Sequence, residues 1–211
     1  MADSTSKPKS KLSAFLEAVK HDDPEVLETF LQENVVDIDH KFKFGRTALW
    51  YAVAHSNVDG QPSLHTRLLL EYGANPEISD DLQRTPLHVS IESFNTEATR
   101  ELLACPRVQM EAKDSLGRTA FSRAAAEGHW RAICMFLDRG ADMKSRDNKG
   151  KKPKDYKMVQ DILQRRLAQV PTDLIPGSEE AGWLDMHEKS QKLEFLLERM
   201  RESINSDEKE E

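Results

Sequence analysis

Apolar positions along this chain come in short bursts, not long runs. Leu27, Phe30 and Leu31 fall at i, i+3 and i+4, and Ile133, Phe136 and Leu137 repeat that spacing. Such a spacing places side chains on one face of a helix. Thr47, Thr85 and Thr119 each precede an apolar burst. Threonine there is an N-cap type, whose hydroxyl accepts a backbone N–H that the helix leaves unpaired. Pro86 suits the first helical turn. Gly73 and Gly140 follow apolar bursts, where a left-handed residue closes a helix. Small residues at Ala52, Ala124 and Ala125 allow helices to pack closely. The pattern predicts pairs of short helices with an extended hairpin leading from each pair to the next.

The bursts are periodic. Gly45-Arg46-Thr47-Ala48-Leu49, Gln83-Arg84-Thr85-Pro86-Leu87-His88 and Gly117-Arg118-Thr119-Ala120-Phe121 align, with steps of 38 and 34 residues between their threonines. A weaker copy, Gly150-Lys151-Lys152-Pro153, lies 33 residues on, and Ser13 to Ala18 aligns with Thr47 to Ala52 at a step of 34. There are thus five units, the outer two degenerate. A period near 33 headed by T-P-L-H resembles the ankyrin repeat. The fourth unit carries the fullest likeness, adding Glu127-Gly128-His129 and Phe136-Leu137-Asp138-Arg139-Gly140-Ala141-Asp142. The second unit closes similarly, in Leu68-Leu69-Leu70-Glu71-Tyr72-Gly73-Ala74-Asn75. The resemblance implies an all-α solenoid over residues 11–168, with helix–turn–helix units at about 11–44, 45–82, 83–116, 117–149 and 150–168, joined by β-hairpin loops.

Some positions depart from the pattern. Thr47 to Gly73 spans 26 residues and Thr119 to Gly140 spans 21, so the second unit holds five extra residues, near Ser56 to Ser63. Gly60 and Pro62 make this stretch a loop, either a contact loop or a tolerated insertion. The third unit has Cys105-Pro106-Arg107 where a closing glycine is expected, and Gln83 in place of the opening one. Trp50 replaces the repeat's histidine, which in the family braces the loop by hydrogen bonding. Ser90 and Ser122 stand where apolar residues are more usual.

Composition agrees with a thin repeat array. Hydrophobic residues make up 38% and charged residues 32%, which is lean for a globular core and adequate when each unit buries only the faces it shares. A net charge of -7 argues against a general polyanion binder, so nucleic acid is not the expected partner. Cys105 and Cys134 belong to no CxxC or zinc spacing. No apolar run approaches the ~18–20 residues that span a bilayer, and Met1 to Lys11 lacks the apolar stretch of a secretory signal. The expected location is cytoplasmic, nuclear or both, with no membrane partner. The sequence holds no HExxH, GxSxG, phosphate-binding glycine loop or metal spacing. His88 and His129 occupy repeat positions that call for structural hydrogen bonding. No catalytic residue, cofactor, metal or small-molecule substrate is therefore expected, and an enzyme or enzyme-associated effector is the least favoured class.

The resemblance implies a protein-binding module, working as an adaptor or regulatory subunit through its hairpin tips and the concave side of its first helices. The tips are Phe42-Lys43-Phe44, Asp80-Asp81-Leu82, Asp114-Ser115-Leu116 and Asp147-Asn148-Lys149. Phe44, Leu82 and Leu116 occupy equivalent places, forming a contact strip or tucking against their own hairpins. Arg46, Arg84, Arg118 and Lys151 form a second line, which either pairs locally with aspartates or receives an acidic partner. His55 and Glu92 complete the candidate face, together with Phe42. Lys149, Lys151, Lys152 and Lys154 are either a solvated cap or a nuclear import signal. The second choice would suit a transcriptional co-regulator or inhibitor subunit.

The ends are read from composition. Residues 1–10 are expected to be disordered and 169–182 a linker. Over 183–205 a helix is expected, with Leu193, Leu196, Leu197, Met200 and Ile204 on one stripe. This helix could dock on the repeats, meet a partner or self-associate weakly. Residues 206–211 form an acidic tail.

Overall fold

The computed structural model describes residues 11–20, 24–55 and 64–168, the last five by backbone alone. The expected N-terminal segment, the inserted loop at 56–63, the linker, the C-terminal helix and the acidic tail lie outside the described residues. The helices are α1 (Lys11–Lys20), α2 (Pro24–Gln32), α3 (Ala48–Ala54), α4 (Leu64–Glu71), α5 (Pro86–Glu92), α6 (Thr96–Ala104), α7 (Ala120–Glu127), α8 (Trp130–Asp138) and α9 (Lys157–Ala168). A single 3-10 turn, Pro153–Asp155, precedes α9. The degenerate last unit thus keeps its second helix and reduces its first to this turn.

The helices stack in two rows. One row runs α1, α3, α5, α7 and then the 153–155 turn; the other runs α2, α4, α6, α8, α9. Within each unit the two helices pack on each other, so contacts join only near neighbours in sequence. The first row is the more deeply buried: every residue of α3 from Ala48 to Val53 and of α5 from Pro86 to Ile91 is buried. Phe121 of α7 stacks on Phe136 of α8, ring centroids 5.5 Å apart, and both are fully buried.

The caps form where the threonines predict them. Thr47 accepts from the Trp50 N–H at 3.2 Å and Thr119 from the Ser122 N–H at 3.1 Å. Gly73 and Gly140 are left-handed, at φ 94 and 72. The third unit, without its glycine, ends α6 on an extended Cys105, and Arg107 reaches back to donate to Leu70 O at 3.0 Å and Gly73 O at 3.1 Å. A side chain of one unit thus caps the helix end of the unit before it. Ser90 and Ser122 are buried and satisfied: Ser90 donates to Leu87 O at 2.8 Å and accepts from the Thr99 hydroxyl at 3.0 Å, while the Thr119 hydroxyl donates to Ser122 at 3.2 Å.

The loops expected as β-hairpins are tight turns. Among the described residues there is no strand, and Lys113 and Thr119 form an isolated antiparallel bridge. Each turn closes after four residues, with Asp80 N–H on Arg84 O at 3.0 Å and Asp114 N–H on Arg118 O at 2.9 Å. That is too short for a ladder.

Candidate protein-binding face

An aspartate builds three of the four tips. Asp80 Oδ1 accepts from the N–H of Leu82 at 3.0 Å and of Arg84 at 2.9 Å. Asp114 does the same for Leu116 and Arg118, both at 2.9 Å, and Asp147 for Lys149 at 2.8 Å and Lys151 at 2.9 Å. In the first tip this position is Phe42, which has no acceptor to offer. The Phe42 N–H still meets Arg46 O at 2.8 Å, but Phe44 and Gly45 are both left-handed, at φ 65 and 69. A phenylalanine in that region carries backbone strain. Phe42 itself turns inward. It is half-buried, edge-on to His40 at 4.9 Å and to Tyr51 at 6.1 Å, and so sits differently from the tip contact expected of it.

The three tips that carry the apolar residues are bonded in series. Successive tips are tied by backbone bonds: Asp81 N–H to Phe44 O at 3.1 Å, Ser115 N–H to Leu82 O at 3.0 Å, and Asn148 N–H to Leu116 O at 3.0 Å. Phe44, Leu82 and Leu116 are 53%, 52% and 52% exposed. About half of each side chain is therefore covered, and the Phe44 ring packs against Lys43 and Arg46 of its own tip. Lys149 takes the equivalent place in the last tip and ends the line.

The cation line divides. Arg84 binds Asp80 at 2.6 Å and Glu92 at 2.6 Å. Burial alone would lower its pKa, but these carboxylates outweigh burial and raise it. Burial likewise works against charge on Asp80 and Asp114, and the bonds from Arg84 and Arg118 still hold both below the usual carboxylate value. Arg118 pairs with Asp114 at 3.0 Å. Glu92 is shared: Arg123 reaches it at 3.0 Å and also meets Glu127 at 2.9 Å, so a charge network crosses from α5 to α7. Lys151 is exposed, with its ammonium over the Tyr156 ring. Arg46 has no hydrogen bond from its side chain and no ion pair among the described residues; its guanidinium lies 3.9 Å from the Trp50 ring centroid. His55 caps α3, exposed, its Nδ1 3.1 Å from Tyr51 O.

Trp50 takes over the histidine's bracing role. His88 Nε2 lies 2.9 Å from Arg118 O, joining α5 to the next tip. Trp50 is buried and its Nε1–H donates to Asp80 Oδ2 at 3.2 Å, joining α3 to the next tip. His129 Nδ1 accepts the Ala132 N–H at 3.2 Å as the N-cap of α8. Burial, the largest influence on His88, depresses its pKa below 6.5. The folded protein therefore binds fewer protons here than the unfolded chain. This contribution to stability is whole above pH 6.5 and is lost as pH falls through the folded value. The urea midpoint is expected to drop between pH 7.5 and 5, less steeply in His88→Gln. An equal slope in the variant would exclude His88 as a source.

Two exposed aromatics were not singled out from sequence. Phe94, 59% exposed and left-handed at φ 54, stands where the fourth unit has Gly128; Trp130, 56% exposed, opens α8. Phe94 leans on His129, ring centroids 4.9 Å apart. The signal was present in the alignment of Ser93-Phe94-Asn95 with Glu127-Gly128-His129. Among the described residues no three His, Cys, Asp or Glu side chains gather to hold a metal, and no helix is long and apolar enough to cross a membrane.

Short helix pairs stacked in two rows, with a tied series of tips carrying exposed side chains, define a repeat scaffold. A family model described as ankyrin repeats (3 copies) matches residues 59–147, and the chain carries ankyrin repeats there. Ankyrin repeats are protein–protein interaction modules. Rabankyrin-5 of Homo sapiens is 40% identical over 74 residues, 35% of this chain and 6% of that protein. The transient receptor potential cation channel subfamily A member 1 of Homo sapiens is 25% identical over 118 residues, 56% of this chain and 10% of the channel. Its Caenorhabditis elegans homolog is 30% identical over 133 residues, 63% of this chain and 10% of that protein. The chain spans a tenth or less of the length of these relatives.

Proposed function

We propose that this chain is a non-catalytic adaptor or regulatory subunit that binds a protein partner through its tips and the exposed side of its first helices. One observation carries this reading: Phe44, Leu82 and Leu116 stand half-exposed on three successive tips whose backbones are bonded to one another. Such a line is fixed before binding, so little ordering entropy opposes association. Apolar side chains held in a row at a surface are the anchors that protein interfaces use.

The test is a quantitative pulldown comparing wild type with Phe44→Ala/Leu82→Ala/Leu116→Ala. Burying the exposed half of each side chain is worth about 0.7–1.5 kcal/mol, so capture of the partner should fall by about thirtyfold or more. The melting temperature should fall only modestly, because about half of each side chain is exposed. A folded triple variant that retains every partner would sink the reading.

A further inference from the structure

The cation line holds an exception at its first member. Arg84 and Arg118 are each neutralised by the aspartate of their own tip. Arg46 stands at the equivalent place, but its tip has Phe42 where that aspartate belongs. The next candidate, Asp80, is already engaged on Oδ2 by Arg84 and by Trp50. Arg46 Nε is buried without a hydrogen-bond partner, while the side chain as a whole is only half-buried. The guanidinium lies over two rings, 3.9 Å from the centroid of Trp50 and 5.2 Å from that of Phe44. Three further cations lie over the same group of rings: Arg84, itself paired, is 5.9 Å from Trp50, Lys43 is 4.8 Å from Phe44, and Lys20 is 4.6 Å from Tyr51, whose ring is 5.3 Å from that of Trp50. Neither lysine forms an ion pair among the described residues. Against a net charge of -7 for the chain, Arg46, Lys43 and Lys20 gather three cations at this end of the face, with the Asp81 carboxylate beside Gly45.

We propose that Arg46 is a carboxylate receptor, which takes the aspartate or glutamate side chain of an acidic peptide segment in the partner protein. The planar fork of arginine suits a carboxylate. The aromatic rings have already stripped part of its hydration, so the pair is screened less than an open surface pair. Phe44 lies beside it and takes an apolar residue next to the acid; Lys43 and Lys20 extend the field along the segment. This inference rests on the reading that the chain binds a protein through this face, and names the chemistry that the partner brings.

The probe is a fluorescein-labelled peptide of alternating glutamate and leucine, titrated into the full chain by fluorescence anisotropy at low and high salt. Binding is expected at low salt and should weaken as salt rises. Arg46→Ala should weaken it by about tenfold or more, as loss of a charge-assisted bond does. Arg46→Lys should recover part of that loss, and Arg100→Ala, on α6 in the other row and already paired with Glu97, should change it by less than about twofold. Melting curves show whether Arg46→Ala is folded; if it is not, Lys43→Ala, at an exposed position, and Arg46→Lys decide. Unchanged binding in the folded Arg46 and Lys43 variants overturns the proposal, as does equal binding of the peptide with glutamine for glutamate. Much tighter binding to Glu208→Gln/Glu210→Gln/Glu211→Gln would give the site to the chain's own acidic tail and also overturn it. A chain that captures its partner through the tips but ignores the peptide overturns the receptor alone. Retention of every partner by the tip variant overturns the tip reading instead.

Discussion

Asp80→Ala is expected to destabilise the protein by about 3–5 kcal/mol, the range found when one member of a buried charged pair is removed. The side chain is 2% exposed and every acceptor position is in use. Oδ1 holds the Leu82 and Arg84 N–H groups and so shapes the tip. Oδ2 holds Arg84 Nε at 2.9 Å, Arg84 Nη2 at 2.6 Å and Trp50 Nε1 at 3.2 Å. Its loss strands the indole N–H in a buried place and frees the tip that joins the second and third units. Glu92 still holds Arg84, which argues for the lower end of the range. Asp80→Asn keeps one acceptor oxygen and should cost about 1–2 kcal/mol. Asp114→Ala should cost less than Asp80→Ala, because no tryptophan depends on Asp114 and Arg118 is open enough to be hydrated, with 22% of its side chain exposed against 13% for Arg84. Urea midpoints for the three variants check this order. A loss in Asp80→Ala no larger than in Asp114→Ala would overturn this order.

The repeat itself was legible because its anchors act locally. Thr47 and Thr119 cap the helix that follows them, and Gly73 and Gly140 end the one before. Such effects need only a few neighbouring residues, so spacing reveals them. The roles of the tip residues depend on partners more distant in sequence. The column Phe42, Asp80, Asp114, Asp147 can be written down from sequence. It does not say that the aspartates fold back onto their own tips, and so does not distinguish Arg46 from Arg84. That follows only once the tip bonds are known. Trp50 shows the same limit: in the sequence it is a lost histidine, and its indole N–H finds Asp80 30 residues away. The role of Arg123 is likewise not legible in sequence, because it shares Glu92, which lies in the preceding unit.

Phe121→Ala is expected to cost about 3–5 kcal/mol, the range for emptying a buried aromatic site. The ring is fully buried between α7 and α8, stacked on Phe136, and α7 is itself the contact to α5 and to the turn at 153–155. A domain's whole stability is only about 5–15 kcal/mol. In a globular core such a loss would spread over the molecule. Here each unit touches only its neighbours, so the damage should stay near its origin. Hydrogen exchange should accelerate most in α7, α8 and α9, while α3 and α4 keep most of their protection. Uniform acceleration through all helices would show that the array unfolds as one unit. Under the localised outcome Leu116 loses its support, whereas Arg46, Trp50 and Phe44 retain theirs. The same variant should therefore lose partner capture that needs the full apolar line and still bind the glutamate–leucine peptide. The stability of one end of the stack and the carboxylate receptor at the other can in this way be separated by a single substitution.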